Sequence, residues 1–134
     1  NSLVFNFIGL RYIDAVNFDF EKNDVFSFLK NNLKLNFEID KELFNETSIK
    51  PLPSDFDFKI SFPIQKPDGS LHLRFTNGKN KEINSIIWET QVRSINEEIP
   101  KNRDFIVKWI ESAHDLTDLW FFKTIEGDFI KQFE

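Results

Sequence analysis

From Phe56 to Ile95 the chain alternates apolar and polar residues with a period of two, a pattern that few folds can satisfy. Phe56, Phe58, Ile60, Phe62 and Ile64 form one run, and Leu71, Leu73 and Phe75 a second. Ile86, Trp88, Thr90 and Val92 form a third. Pro67-Asp68-Gly69 and Asn77-Gly78 stand between the runs and supply turn chemistry, which predicts a three-stranded antiparallel meander. Alternation of this kind sets one face on a core and the other in water. The polar face carries Asp57, Lys59, Ser61, His72 and Arg74, a mixture with no catalytic constellation.

The flanking segments supply what packs on that sheet. A first strand is expected from about Phe5 to Phe20, with Ile8, Leu10, Tyr12, Val16, Phe18 and Phe20 on one face and Asp14 interrupting it. Phe5 and Phe7 fall on the opposite phase, which predicts a bulge near Gly9. Asn23-Asp24 can cap a short helix carrying Val25, Phe26, Phe28 and Leu29. The stretch Leu33 to Phe44 fits either a strand or a helix, and Asn45 to Asp55, with Pro51-Leu52-Pro53-Ser54, reads as a connecting loop. Beyond Pro100 the period changes. Asn102 can cap a helix from Arg103 to about Phe122, with Ile106, Trp109, Ile110, Ala113, Leu116 and Trp120 as its apolar stripe. Gly127 ends or redirects the chain, and Phe129, Ile130 and Phe133 predict a short terminal helix docking back. The expected class is α+β: a four-stranded antiparallel sheet made of a strand, a short helix and crossover, and a three-stranded meander. A long C-terminal helix and a short terminal helix cover it.

Composition narrows the functions open to such a layer. A chain of 134 residues fits one domain, and 17 Phe with 3 Trp give it a large aromatic core for its size. Some of that Phe can instead face a partner. The sequence contains no Met and begins Asn1-Ser2, so it is expected to be the C-terminal fragment of a longer protein. Zero Cys excludes disulfides, thiolate catalysis and Cys-ligated zinc. A net charge of −5, with basic residues scattered among acids, argues against nucleic acid and an anionic membrane as partners. No stretch approaches the ~20 apolar residues of a membrane span, and the expected compartment is the cytoplasm.

Only two histidines are present. His114 lies at the edge of the helical stripe, with Glu111 three residues before it and Asp118 four after, so the three can share a helix face. Glu-x-x-His is half of a carboxylate-bridged di-iron site, but no second copy accompanies it, and neither a metal nor a cofactor is expected. His72 sits on the polar sheet face beside Arg74, across from Lys59 or Ser61, as a surface residue. No serine occupies a Gly-x-Ser-x-Gly elbow, and four glycines form no phosphate-cradling loop. Asp14 falls on the apolar phase of the first strand. A carboxylate there is costly unless paired, so it is expected to be hydrogen-bonded or bridged to an Arg such as Arg11, Arg74 or Arg93, the alternative being that the bulge turns it outward.

Gly9-Leu10-Arg11-Tyr12-Ile13-Asp14 resembles the Gly-Leu-Arg-Tyr-Ile-Asn opening of the C-terminal half of a sporadically distributed family of uncharacterised bacterial proteins. A His seven residues before a Phe is that family's second landmark, and His114 and Phe121 match it, followed by Ile125. The chain departs from the pattern at Asp14-Ala15, where Asn-Arg is usual, and at Glu126-Gly127. The resemblance implies a missing N-terminal half and no established activity. In topology alone the chain also resembles the SecB-type export chaperone, with no site residue to carry over. Expected, then, is a non-catalytic protein-binding or assembly domain, engaging itself or the missing half, with Arg11, Tyr12, Asp14, Glu111, His114 and Phe121 as binding residues. Two alternatives stand beside it: a part of an enzyme whose site is shared with the missing half, and a chaperone for unfolded chains.

Overall fold

The computed structural model describes residues 8–94 and 102–127. Within them the order is β1 (Gly9–Asn17), α1 (Val25–Leu33), a single 3-10 turn (Lys41–Phe44), β2 (Asp57–Ile64), β3 (Gly69–Asn80), β4 (Ile83–Arg93) and α2 (Arg103–Ile125). All neighbouring strands are antiparallel, and the sheet runs β1-β4-β3-β2. The meander β2-β3-β4 is therefore continued by the first strand, which joins at β4. The architecture is α+β as expected. The terminal helix expected around Phe129–Phe133 and the closing Pro100 lie outside the described residues. Among the described residues no helix is long and apolar enough to cross a membrane.

Side chains of the four strands align in rows across the sheet. Tyr12, Thr90, Leu73 and Ile60 form one row on the inner face, and Asp14, Trp88, Phe75 and Phe58 form the next. Leu71, Leu73, Phe75, Ile86, Trp88 and Val92 from this face are buried with Val25, Leu29 and Leu33 of α1 and Trp109, Ala113 and Ile125 of α2. Both helices thus cover the same side. The outer face carries polar pairs beside the exposed Ile13: Arg11 pairs with Glu89, Arg74 makes a two-pronged bridge to Asp57 at 3.0 and 2.9 Å, and Ser61 Oγ shares a 2.7 Å hydrogen bond with His72 Nδ1.

Much of the aromatic surplus closes one end of the core. Phe18 meets Phe20 and Phe28, Phe20 meets Phe56, Phe56 meets Phe58, and Phe58 stacks on Phe37 with ring centres 4.2 Å apart. The rings join the segment after β1 to α1, to the segment after α1, and to β2. That segment, read as strand or helix, is mostly irregular: Lys34 caps α1 in the left-handed region at φ 59°, and only Lys41–Phe44 turns helically.

Three expectations are corrected. β1 pairs with β4 in unbroken register from Gly9 to Asn17, so no bulge falls within that span, while Phe5 and Phe7, whose phase suggested one near Gly9, lie outside the described residues. Asn77-Gly78 is not a turn, because β3 runs through it with Asn77 opposite Ile86 and Gly78 opposite Ser85. The reversal comes later, at Lys81-Glu82, where both residues take positive φ (52° and 66°) between the paired Asn80 and Ile83. Finally, α2 extends to Ile125 and turns Ile110 outward, with Thr117 and Ile125 taking buried places on the stripe. The Asp24 and Asn102 caps are as expected: Asp24 accepts from the Phe26 N–H at 3.0 Å and Asn102 from the Asp104 N–H at 2.9 Å.

Two contacts fix α2 along its length. The Trp109 indole N–H donates to the Asp68 carbonyl at 3.2 Å, tying the first half of the helix to the β2–β3 turn. At the other end Lys34 Nζ donates to the Lys123 carbonyl and meets Glu126 Oε1 at 3.2 Å. Gly69 completes the β2–β3 turn under the β4 backbone. A Cβ there would stand 2.1 Å from the Arg93 carbonyl oxygen, so no other residue fits.

Candidate functional site

Where α2 crosses β1 and β4 it leaves a half-open cavity of about 360 Å³. Its walls are Tyr12 and Asp14 from β1, Thr90 from β4, and Thr117, Asp118 and Phe121 from α2. The register explains the grouping. Tyr12 lies directly opposite Thr90, and Asp14 directly opposite Trp88, so alternate residues of β1 reach the same face as the core of β4. Helix spacing of three and four brings Thr117, Asp118 and Phe121 to one flank of α2. Phe121 stacks on Trp88 with centroids 6.4 Å apart and planes 17° apart, which seats the helix beside Asp14.

Of the six residues expected from the sequence, Tyr12, Asp14 and Phe121 line this cavity. His114 does not line it but adjoins a wall residue, its Nδ1 lying 3.3 Å from Asp118 Oδ2 across one helical turn. The other two lie elsewhere. Arg11 projects from the opposite sheet face to Glu89, and Glu111 is exposed on α2. His114, Glu111 and Arg11 therefore do not converge, and among the described residues no group of three His, Asp or Glu side chains could hold a metal ion.

The Arg partner expected for Asp14 is a correction. Arg11 and Arg74 serve Glu89 and Asp57 on the outer face. Arg93, at an odd position of β4, also falls on that face. Among the described residues no cation reaches Asp14. Its carboxylate instead keeps contact with water through the cavity, and partial burial pushes its pKa above the ordinary carboxylate value. On the outer face the effect runs the other way: the hydrogen bond and charge of Arg74 hold Asp57 below that value.

The direction for Asp14 fixes a stability test. A carboxyl whose folded pKa is raised binds its proton more tightly when folded, so its ionised form opposes folding at neutral pH. Asp14→Asn is expected to gain ~0.5 kcal/mol at neutral pH, a small sum because solvent still screens the half-buried group. The gain should vanish once pH falls below about 3.9, where the carboxyl is protonated in both states. Urea unfolding at both pH values checks this, and an equal gain at each would assign the effect to something other than ionisation.

Two wall residues were not expected from the sequence as part of a site, and a third, Asp118, was read only as a neighbour of His114 on its helix face. Thr90 and Thr117 each occupy an apolar phase with a hydroxyl, and that is the only signal they carry. Thr117 Oγ1 donates to the His114 carbonyl at 2.9 Å. Thr90 is 6% exposed, and its hydroxyl has no hydrogen-bond partner among the described residues. Since no fully enclosed polar side-chain atom is left unpartnered, that hydroxyl reaches open space. Thr90 and Phe121 also border a second, more apolar cavity of about 230 Å³ between α2 and the end of α1. No family model, no curated protein and no solved structure matches the chain.

Proposed function

We infer that this domain is a protein-binding module that takes up an extended segment of a partner along the outer edge of β1. The observation that carries the reading is the state of that edge. Ser94 N–H donates to the Ile8 carbonyl and Phe18 N–H to the Asn84 carbonyl, both at 2.9 Å. With the register unbroken between them, even-numbered residues of β1 turn their backbone groups toward β4. Gly9, Arg11, Ile13, Ala15 and Asn17 turn theirs away from the sheet, and among the described residues no strand pairs with them. Exposed edges of this length invite strand addition, and proteins blunt them with Pro, Lys or bulges. The opposite edge, β2, carries Lys59 and Pro63, whereas β1 carries neither and has no bulge.

Ile13→Pro tests the edge without attacking the fold. Proline is tolerated on an edge strand where its N–H faced solvent, and Ile13 is 56% exposed on the outer face. Nine-residue peptides selected from a random displayed library should bind the parent domain and shift the amide resonances of Arg11, Ile13 and Ala15. Binding should fall about tenfold or more in Ile13→Pro, since a main-chain hydrogen bond in the new ladder is lost. Peptides that bind both proteins equally, or no selected peptide at all, would defeat the reading.

A further inference from the structure

The cavity between β1 and α2 is built for something more specific than a backbone ladder. We propose that it receives the alkylammonium or guanidinium head of a Lys or Arg side chain carried by the segment added at β1. This rests on strand addition for its delivery, but its chemistry can be tested separately.

Two carboxylates, Asp14 and Asp118, face the cavity from opposite walls, one on a strand and one on a helix. Asp118 has His114 beside it, while Asp14 has no cation among the described residues. The remaining walls are aromatic or hydroxylic. Tyr12 and Phe121 are aromatic, and such rings attract cations by their quadrupole. Thr90, a residue 6% exposed, offers a hydroxyl open to the cavity, and Thr117 an oxygen that can still accept. An anion would meet two carboxylates here. A purely apolar group would leave Asp14 and the Thr90 hydroxyl without hydrogen bonds, at a desolvation cost. A cation on an apolar stem satisfies every wall: the stem lies along the rings and the head meets the carboxylates. The volume, about 360 Å³, stands at the small end of the range for ligand sites, which suits one side chain.

The geometry also says how the side chain arrives. A strand hydrogen-bonded to Arg11 and Ile13 would lie one strand spacing beyond β1, with alternate side chains on the face that carries Tyr12 and Asp14. That face opens on the cavity. A basic residue at one of those alternate positions reaches Asp14, and its neighbours in sequence point to the outer face. The net charge of −5 favours the approach of such a segment.

The test uses N-acetyl-lysine methylamide as the probe and N-acetyl-norleucine methylamide, which lacks the charge, as its control. Titrating the isotope-labelled domain with the lysine probe should move the amide signals of Tyr12, Thr90 and Phe121 and saturate. The norleucine probe, and the lysine probe against Asp14→Asn, should each bind about tenfold more weakly, the loss of one charge-assisted contact. Equal binding of the two probes, no response at those amides, or indifference to Asp14→Asn would overturn the cation site. Ile13→Pro separates the two claims. It should leave the free lysine probe unaffected while weakening the selected peptides, so a domain that binds lysine but no peptide would refute strand addition alone.

Discussion

Trp88→Ala is expected to destabilise the domain by about 4 kcal/mol, within the ordinary cost of deleting a buried indole. Trp88 is 2% exposed and stands in the middle of an inner-face row, between Asp14 on one side and Phe75 on the other. Its ring also carries Phe121, so truncation leaves a void on the sheet and removes the seat of α2. Against a typical stability of about 5–15 kcal/mol the loss is large, and the urea midpoint should fall accordingly. Phe121→Ala separates the stack from the void, because Phe121 is only partly buried. A double-mutant cycle between the two should return a coupling of about 1 kcal/mol, the surplus of an aromatic pair over its buried area. A Trp88→Ala loss under about 2 kcal/mol, below the usual span for such a deletion, would mean that α2 is not held on the sheet in this way.

The same residue marks how far the sequence could be read. Period-two alternation identified β2 and β4 and the face that Trp88 occupies, because a half-buried strand must repeat every second residue. Period 3.6 identified α2, and the Asp and Asn caps marked where both helices begin. These are local constraints. The irregular chain from Lys34 to Phe56 is held by ring contacts to β2 and the segment after β1, partners that no local pattern reveals. The site divides likewise. Tyr12 and Asp14 were legible from their phase on β1, whereas Phe121 was named only through a resemblance and not from any pattern in its own helix. Thr90, Thr117 and Asp118 become walls only when α2 crosses β1 and β4, which is tertiary information. Asp14 misled for a physical reason: a charge on the apolar phase suggested an ion pair, whereas an open cavity let it keep its water.

The β3–β4 reversal offers the second large effect, and it grows out of the other misreading. Asn-Gly is the preferred pair for a two-residue hairpin because both positions need φ > 0. Here Asn77-Gly78 lies inside β3 instead. Asn77 Oδ1 accepts the Phe56 N–H at 3.0 Å, and a Cβ on Gly78 would come within 2.4 Å of the Ile87 side chain. The pair is used for an edge contact and a close approach, so the turn falls to Lys81-Glu82, both exposed and both in the left-handed region. Each such residue costs roughly 1–2 kcal/mol relative to right-handed backbone. Replacing the two together by Asn-Gly should remove most of that strain, while added freedom of the unfolded chain takes back about 0.5–1 kcal/mol at the glycine. A net gain of about 2 kcal/mol is expected, read as a raised urea midpoint with unchanged slope. The register should not move, because Asn80 and Ile83 still bracket a two-residue loop. If the exchange were neutral, or if Asn-Gly shifted the pairing of β3 on β4, the hairpin would not be turning at Lys81-Glu82.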